Sequence, residues 1–216
     1  MARIVLIEPS RRDCVTIRRF LLEHGHQCDV YFRLARQALS DMDASDCDLL
    51  VVTLELPDIH GMQLVTMLRR DGRLKPTTPV LVCSSLGSPL SIQRAIRTGV
   101  SGFLLMNDRL ALIGRAVDAV LAGGKVYPEH GRLPLDGDPR LKSALVLSAH
   151  LVAILHGLHR GHSVASLAEI LALSGENIGQ HKRQLMRKLS ASTLEELFTI
   201  CEEIGLLQRL TALPVL

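Results

Sequence analysis

The sequence predicts an α/β domain with a five-stranded parallel sheet, followed by a small all-α domain. From residue 3 to residue 121, five short apolar runs of strand length alternate with five amphipathic stretches of helical length. Because parallel strands need a crossover between them, usually a helix, this alternation predicts a doubly wound sheet covered on both faces. Beyond residue 143 the apolar residues recur at helical spacing, and 216 residues provide room for two such domains.

The five strands of the predicted sheet are nearly continuous apolar runs, as expected of strands that are buried on both faces. They are predicted at residues 3–7, 26–31, 48–54, 79–83 and 102–105. Ligands of such folds bind at the carboxyl ends of the strands. In this chain those ends fall at Glu8-Pro9, Thr53, Ser84 and Met106, which form the candidate pocket of the first domain.

The helices between these strands follow from apolar residues at helical spacing. They are predicted at residues 10–23, 34–42, 62–70, 91–98 and 109–121. Ser10 and Asp13 form a candidate capping box at the start of the first helix. We therefore assign residues 1–122 to the first domain.

Glycine and proline residues at short intervals indicate a linker over residues 123–142. The second domain, residues 143–216, contains four predicted helices, at 147–158, 163–171, 174–189 and 192–207. Ser192 and Glu195 form a candidate capping box for the last of these helices.

The composition excludes several classes of protein. Hydrophobic residues make up 47% and charged residues 22%, which favours a packed core over disorder. Aromatic residues make up only 3%, which argues against a stacking platform for single-stranded nucleic acid. The five cysteines include no C-x-x-C pair, which argues against a disulfide scaffold or a cysteine zinc site. With no evident targeting or membrane-spanning segment, we expect a cytoplasmic protein without a membrane partner.

Two helices joined by a short turn at Ala172-Leu173-Ser174 predict a helix-turn-helix in the second domain. On its second helix Ile178, Leu185 and Leu189 fall on one side, and the polar side chains lie mostly elsewhere. Four of the six cations beyond residue 143 are concentrated on this helix: Lys182, Arg183, Arg187 and Lys188. An apolar anchor with a cationic outer face suits the DNA major groove, and a merely solvated helix face is the alternative.

Residues 147–189 share an ungapped pattern with a known type of domain. The residues that carry it are Leu147-Ser148, Gly161, Ala168, Leu171, Ser174, His181 and Arg187-Lys188-Leu189. This segment resembles the LuxR-type DNA-binding domain, and with the first domain the chain resembles a NarL/FixJ-type response regulator over nearly its full length. The resemblance implies a flavodoxin-like receiver domain followed by a four-helix helix-turn-helix domain.

By this resemblance, helix 174–189 is the recognition helix, and the base-contacting positions of the family fall on Gly179, Gln180 and Arg183. Glutamine suits adenine and arginine suits guanine in the major groove, whereas Gly179 offers no side chain. The expected contacts to phosphate are Lys182, Arg187, Lys188, Ser163 and Ser174. One departure from the family is Leu151, which stands where a glutamate would complete a capping box with Ser148, so we expect a frayed helix start.

The last predicted helix carries an apolar stripe, part of which must be core. In the family the corresponding helix also forms the dimer contact on DNA. The resemblance therefore implies a dimer bound to a pseudo-palindromic site in double-stranded DNA. The partner subunit would be a second copy or, in a heterodimer, another response regulator, and RNA polymerase is a further expected partner.

The resemblance also shows which receiver chemistry this sequence lacks. The acidic pair of the family falls on Glu8-Pro9, its acceptor aspartate on Thr53, its hydroxyl on Ser84 and its lysine on Met106. Proline cannot ligate Mg²⁺ through its side chain, threonine is no acyl-phosphate acceptor, and methionine carries no charge. We therefore expect an atypical receiver that is not phosphorylated on aspartate and binds Mg²⁺ weakly if at all.

Other acidic residues and histidines of the chain are not expected to form a catalytic or metal site. Glu55 and Asp58 are predicted to lie in a loop, away from the acceptor site. The histidines considered as metal ligands, which we expect to be surface residues, are His24, His26, His156, His159 and His162. The sequence predicts no cofactor, no metal site and no catalytic residues, so we expect that the protein is not an enzyme.

The leading hypothesis is a transcription regulator that reads DNA as a dimer, independently of aspartate phosphorylation. Its receiver would serve for constitutive dimerisation through residues 91–121, bind a small molecule or peptide, or form heterodimers. The alternative hypothesis is an interaction protein that modulates an orthodox response regulator and binds DNA weakly.

Overall fold

The computed structural model describes residues 2–44, 47–85, 87–106, 112–128 and 139–207. The strands of the first domain are β1 (Arg3–Ile7), β2 (Gln27–Phe32), β3 (Leu49–Val52), β4 (Val80–Ser84) and β5 (Gly102–Leu105). Its helices are α1 (Arg11–Glu23), α2 (Ala35–Asp41), α3 (Gly61–Arg70), α4 (Pro89–Arg97) and α5 (Ile113–Leu121). Each predicted strand and helix is present with ends that differ by a few residues, and residues 109–111 of the last predicted helix lie outside the described residues.

The sheet is parallel throughout, with the strand order β2-β1-β3-β4-β5. Its central strands are buried along nearly their whole length, which explains their continuous apolar sequences. Ile17, Leu21 and Val117 pack α1 and α5 against one face of the sheet, and α2, α3 and α4 cover the other. The doubly wound α/β fold is thereby confirmed.

The beginning of the predicted linker belongs to the first domain. The backbone N–H of Phe103 donates to the carbonyl of Val126 at 2.7 Å, and the Tyr127 hydroxyl donates to the carbonyl of Val100 at 2.5 Å. The end of the predicted linker forms a helix, α6 (Pro139–Leu145). The predicted linker 123–142 was therefore too long at both ends.

The second domain continues with α7 (Ala149–His159), α8 (Val164–Leu171), α9 (Gly175–Leu189) and α10 (Leu194–Glu203). With α6, the described part of this domain has five helices, one more than predicted. A turn with Ala172 in the left-handed region, at φ +53°, joins α8 to α9 as the helix-turn-helix requires.

The helix caps of the second domain partly correct the sequence analysis. Ser148 Oγ accepts from the backbone N–H of Leu151 at 3.2 Å, so α7 keeps its cap without the family's glutamate. The N-cap of α10 is Thr193 instead of Ser192, because the Thr193 hydroxyl accepts from the Glu196 backbone N–H at 3.1 Å. These caps fix where both helices begin.

All five cysteines are free and buried. Burial raises the pKa of Cys28, Cys47 and Cys201 to about 12, which leaves these thiols protonated and unreactive near neutral pH. Among the described residues, no helix is long and apolar enough to cross a membrane.

Candidate nucleic-acid interface and strand-end pocket

The candidate recognition helix α9 is anchored by one face and exposed on the other. Ile178, Leu185 and Leu189 are fully buried against the other helices of the domain. Ser174 caps the helix by accepting from the Asn177 backbone N–H at 3.1 Å. With 3.6 residues per turn, the side opposite this buried face is formed by residues 176, 180, 183 and 187. We call these four residues the outer line of α9.

Most of the predicted DNA contacts are exposed, those of α9 together with Ser174 and Ser163 at the starts of α9 and α8. The exposed members of the predicted set are Gln180, Arg183, Arg187, Lys188, Ser163 and Ser174. Gly179 and Lys182 are partly buried, because position 182 lies beside the buried face of the helix. The result is a convex surface of amide and guanidinium donors, which matches what a major-groove interface requires.

Gly179 leaves an open space on the surface of α9. A Cβ atom at this position would meet nothing closer than Arg183 Nη1, at 3.8 Å. The helix therefore does not need a glycine here for steric reasons. The missing side chain frees room over which the Arg183 guanidinium can move.

One member of the outer line was not among the predicted contacts. Glu176 is exposed in the first turn of α9, and its Oε1 lies 3.5 Å from Nε2 of Gln180. Its spacing of four residues from Gln180 and seven from Arg183 is the signal that could have identified it. A negative charge therefore stands at the head of a line that otherwise carries an amide and two cations.

The strand-end pocket of the first domain lies at the carboxyl ends of β1, β3, β4 and β5. Glu8, Thr53 and Ser84 are buried there, whereas Pro9 and Met106 are partly buried. The parallel sheet brings these five residues to one edge, as the sequence predicts, because parallel strands all end on the same side.

Glu55 occupies this pocket, which corrects its predicted position away from the acceptor site. Thr53 Oγ1 donates to Glu55 Oε2 at 3.2 Å, and Ser84 Oγ donates to the same oxygen at 2.6 Å. Ser85 Oγ donates to Glu55 Oε1 at 3.0 Å. The loop after β3 therefore turns its own carboxylate onto the hydroxyls of two strand ends.

Asp58, the other acid of that loop, does lie away from the pocket. Its two carboxylate oxygens accept from the backbone N–H groups of Ala35 and Arg36, each at 2.9 Å. Asp58 thus caps the first turn of α2, where a negative charge is favoured by the helix dipole. Its role is structural.

Glu8 is the titratable group most affected by the pocket. Its carboxylate accepts from the Ser10 backbone N–H at 2.8 Å. Burial raises the pKa of Glu8 to about 7, and the nearby carboxylates of Asp13 and Glu55 add to this effect. In the described part of the chain, no group of three or more acidic, histidine or cysteine side chains is arranged to hold a metal ion.

The two domains touch through α3 against α7 and α4 against α6. Arg94 donates to the backbone carbonyls of Ala144 and Leu147, the latter at 2.6 Å, and Arg160 donates to the Leu56 carbonyl. We call the side chains of His60, Arg94, His156 and Arg160 the domain contact. Part of the face at 91–121 that was considered for dimerisation is therefore covered by α6 of the same chain.

Several histidines are not the surface residues that the sequence analysis expects. The ring centroids of His60 and His156 lie 4.6 Å apart across the domain contact. His26 is buried and hydrogen-bonded to Asp118 at 2.8 Å, and His159 Nε2 lies 3.3 Å from Glu202. Long-range packing, which spacing along the chain does not reveal, decides these positions.

Comparison with known proteins identifies both domains. Residues 4–110 match the response regulator receiver domain, and residues 145–201 match the bacterial regulatory proteins of the luxR family. The chain is 29% identical to the Fimbriae Z protein of Salmonella typhimurium, over 80% of this chain and 82% of that protein. It is 26% identical to the nitrate/nitrite response regulator protein NarP of Escherichia coli, over 67% and 68% of the two chains.

Among solved structures, the RcsB response regulator of Salmonella typhimurium shares the fold. Its TM-score is 0.69 at 17% sequence identity, and the match covers 94% of this chain and 98% of the RcsB chain. A structure of an RcsB–DNA complex matches with a TM-score of 0.55 at 18% identity, over 93% and 98% of the chains. With a receiver domain followed by a luxR-family helix-turn-helix, the chain belongs to the NarL/FixJ-type response regulators.

Proposed function

We propose that this protein is a sequence-specific DNA-binding transcription regulator that acts as a dimer and does not depend on aspartate phosphorylation. The observation that carries DNA binding is the outer line of α9, which lies exposed and opposite the buried face of a luxR-family domain. Gln180 and Arg183 would read bases from this line, and Arg187 and Lys188 would contact phosphates.

The strand-end pocket supports independence from aspartate phosphorylation. Thr53 stands at the acceptor position, and its hydroxyl is not a carboxylate that can form an acyl phosphate. The carboxylate of Glu55 accepts from the hydroxyl of Ser84, which an incoming phosphoryl group would need, and from the neighbouring hydroxyl of Ser85. Met106 stands at the lysine position, and because its side chain is uncharged it cannot neutralise a phosphoryl oxygen as a lysine would.

The proposal of a dimer rests on the relatives, and the proposed location in the cytoplasm follows from a role in transcription. A structure with the same fold, at a TM-score of 0.56, holds two RcsB dimers on two parallel DNAs. By analogy, α10 would form the contact between the two subunits of the dimer. The dimer would bind a pseudo-palindromic DNA site, and the protein would act in the cytoplasm. We also propose that the chain can form a heterodimer with another response regulator and that it contacts RNA polymerase.

The test is selection of genomic DNA fragments by the purified protein without a phosphoryl donor. We expect an inverted-repeat motif, and Arg183→Ala should weaken discrimination at one base pair of each half-site by about 5- to 150-fold. Arg11→Ala removes an exposed arginine from α1 and is the matched control. A folded protein that enriches no motif, or a motif unchanged by Arg183→Ala, would contradict the proposal.

The alternative is a protein that modulates an orthodox response regulator and binds DNA weakly. Gly179 favours it, because a position that contacts bases in the family carries no side chain here. This function predicts no enriched motif from the selection, full activity of Arg183→Ala in cells, and recovery of another response regulator with the purified chain.

A further inference from the structure

Glu176 is exposed in the first turn of α9, on the side opposite the buried face of the helix. Its outward direction is shared by Gln180, Arg183 and Arg187, which follow at intervals of four, three and four residues. Helices that enter the major groove contact base edges chiefly with the residues near their N-terminus. A side chain at position 176 therefore approaches the base pairs together with the two predicted base-contacting residues.

The contact between Glu176 and Gln180 favours one orientation of an amide. A carboxylate only accepts hydrogen bonds, so the Gln180 group that faces Glu176 Oε1 at 3.5 Å must be the NH₂ group. The Gln180 carbonyl oxygen then points to the other side and stays available as an acceptor. Glu176 thereby favours one of the two amide orientations that an isolated glutamine side chain would adopt equally.

The sign of the charge limits what Glu176 can contact on DNA. Phosphate groups repel a carboxylate, so Glu176 gains nothing from the DNA backbone. In the major groove the hydrogen-bond donors are the exocyclic amines of cytosine and adenine, and an acidic side chain pairs with cytosine N4. Adenine is the usual partner of the glutamine amide, which presents a donor and an acceptor together.

We propose that Glu176 is a specificity-determining residue, which accepts from the exocyclic amine of a cytosine and orients the amide of Gln180 for the neighbouring base pair. This inference rests on the proposed function, since it requires that α9 enters the major groove. It adds a residue to the base-reading set and states which base that residue selects. It also gives this chain a recognition element that compensates for the missing side chain of Gly179.

The experiment is selection from a pool of randomised double-stranded DNA by the full chain and by Glu176→Gln. We expect the wild-type motif to contain a cytosine that Glu176→Gln no longer prefers, with a loss of discrimination of about 5- to 150-fold at that base pair. The preference at the adjacent base pair should also weaken, because Gln180 loses the contact that favours one orientation of its amide. Glu176→Ala should give the same change and shows that the new glutamine is not its cause.

Glu169→Gln is the matched control, because it removes the same charge from an exposed position on α8. Both glutamate variants should bind non-specific DNA slightly more tightly, and the control should keep the wild-type motif. A wild-type motif that Glu176→Gln and Glu176→Ala leave unchanged would overturn the role of Glu176 while DNA binding stands. A wild-type chain that selects no motif would overturn both this inference and the proposed function.

Discussion

The strand-end pocket contains carboxylates, the domain contact contains histidines and arginines, and one loop contributes a residue to each. Residues 53–60 run from β3 to α3, and Glu55 pairs with His60 across this loop in an antiparallel bridge. Glu55 turns into the pocket with Glu8, whereas His60 turns towards His156 of the second domain. The pocket therefore contains carboxylate side chains, whereas the domain contact contains histidine and arginine side chains.

Burial has opposite consequences for the two sites. It raises the pKa of Glu8, and it lowers the pKa of His60 well below the usual range and that of His156 to about 3. The neighbouring cations of the domain contact, Arg94 and Arg160, add to the effect on both histidines. The fold favours the neutral forms of Glu8 in the pocket and of His60 and His156 at the domain contact, so acid favours the pocket and alkali favours the domain contact.

Few charges are available to compensate protonated histidines at the domain contact. Asp58 is engaged by α2, and Glu202 on α10 lies by His159. On the α9 side, His150 lies between Gln63 and His181, and burial together with His181 lowers its pKa as well. Protonation therefore adds like charges at a site that already holds two arginines.

The largest expected effect is that acid separates the two domains. The pKa of His60 and His156 is lower in the docked state than the ordinary value of 6.5, so docking is fully stable above that value and weakens as pH falls below it. At pH 5 the depressed pKa of His156, about 3 against an ordinary 6.5, should by itself favour separation by about 30-fold. His60, whose pKa is also lowered by burial, should add to this effect in the same direction. Small-angle scattering at pH 7.5 and pH 5 should show an increased radius of gyration in acid.

The control for acid opening is the double variant His60→Gln, His156→Gln, which cannot be protonated at these two positions. Its radius of gyration should change much less between pH 7.5 and pH 5. If wild type and double variant expand equally, the opening does not come from these histidines. If the wild type does not expand, the domain contact is not acid-labile.

The second-largest effect concerns the strand-end pocket, whose stability depends on pH in the opposite direction from that of the domain contact. The pKa of Glu8 is about 7 in the folded chain and near 4.5 when unfolded, so the stability it contributes is present below about 4.5 and is lost as pH rises through 7. Glu8→Gln should raise the free energy of unfolding at pH 8 by up to about 3 kcal/mol and change it little at pH 4.5. Urea unfolding at the two pH values measures this difference.

Glu23→Gln, on the exposed end of α1, is the control for Glu8→Gln and should be neutral at both pH values. A stabilisation by Glu8→Gln that is the same at pH 4.5 and pH 8 would show that packing, not ionisation, is responsible. A destabilisation at pH 8 would show that the charged form of Glu8 is favoured in the fold.

Arg94→Lys should weaken the domain contact, by less than the effects of acid and of Glu8→Gln described above. Arginine reaches two carbonyls with its planar fork, and lysine keeps the charge but cannot reproduce that geometry. A loss of about 1.4 kcal/mol, or tenfold in docking, is expected. Because two histidines take up protons on opening, the midpoint of acid expansion should rise by about half a pH unit.

Arg97→Lys, an exposed position on the same helix, is the control and should leave that midpoint unchanged. Equal midpoints for Arg94→Lys and wild type would show that the arginine fork does not hold the domains together.

The smallest expected effect links the two carboxylates of the pocket. Burial is the main cause of the high pKa of Glu8, and the charge of Glu55 is one of the lesser causes. Glu55→Gln should therefore lower the pKa of Glu8 by less than about one unit. A carboxyl-carbon NMR titration of Glu8 measures the shift, with Glu23→Gln as the variant that should have no effect. A Glu8 pKa that stays constant would contradict the electrostatic link.

The sequence predicted the secondary structure well where periodicity is long and unambiguous. Four buried strands, β1, β3, β4 and β5, and the apolar face of α9 follow directly from the spacing of apolar residues. The exposure of Gln180 and Arg183 follows from the same geometry, since they lie opposite that face. The strand β2 was also predicted, but as an edge strand of the sheet it is largely exposed and not buried on both faces. The helix α6 was missed because glycine and proline residues precede it, and because its seven residues span too few turns for a helical period to be recognised.

Residues whose role depends on distant partners could not be placed from the sequence. Glu55 was assigned to an ordinary loop, because nothing in its neighbourhood shows that the loop bends back to Ser84. His156 was taken as a surface residue, because its partner His60 is far away along the chain. Both errors concern polar side chains, whose positions carry no periodic signal.

The sequence by itself determined the two domains, the parallel sheet and the exposed cationic helix, because the alternation of apolar residues directly reflects which side of each element is buried. Only the tertiary structure decided which carboxylate occupies the strand-end pocket and which histidine and arginine side chains meet between the domains. Those arrangements depend on the path of the loop 53–60 and on the docking of α3 and α4 against α7 and α6. Such contacts arise from packing between residues far apart in the chain, which local patterns do not encode.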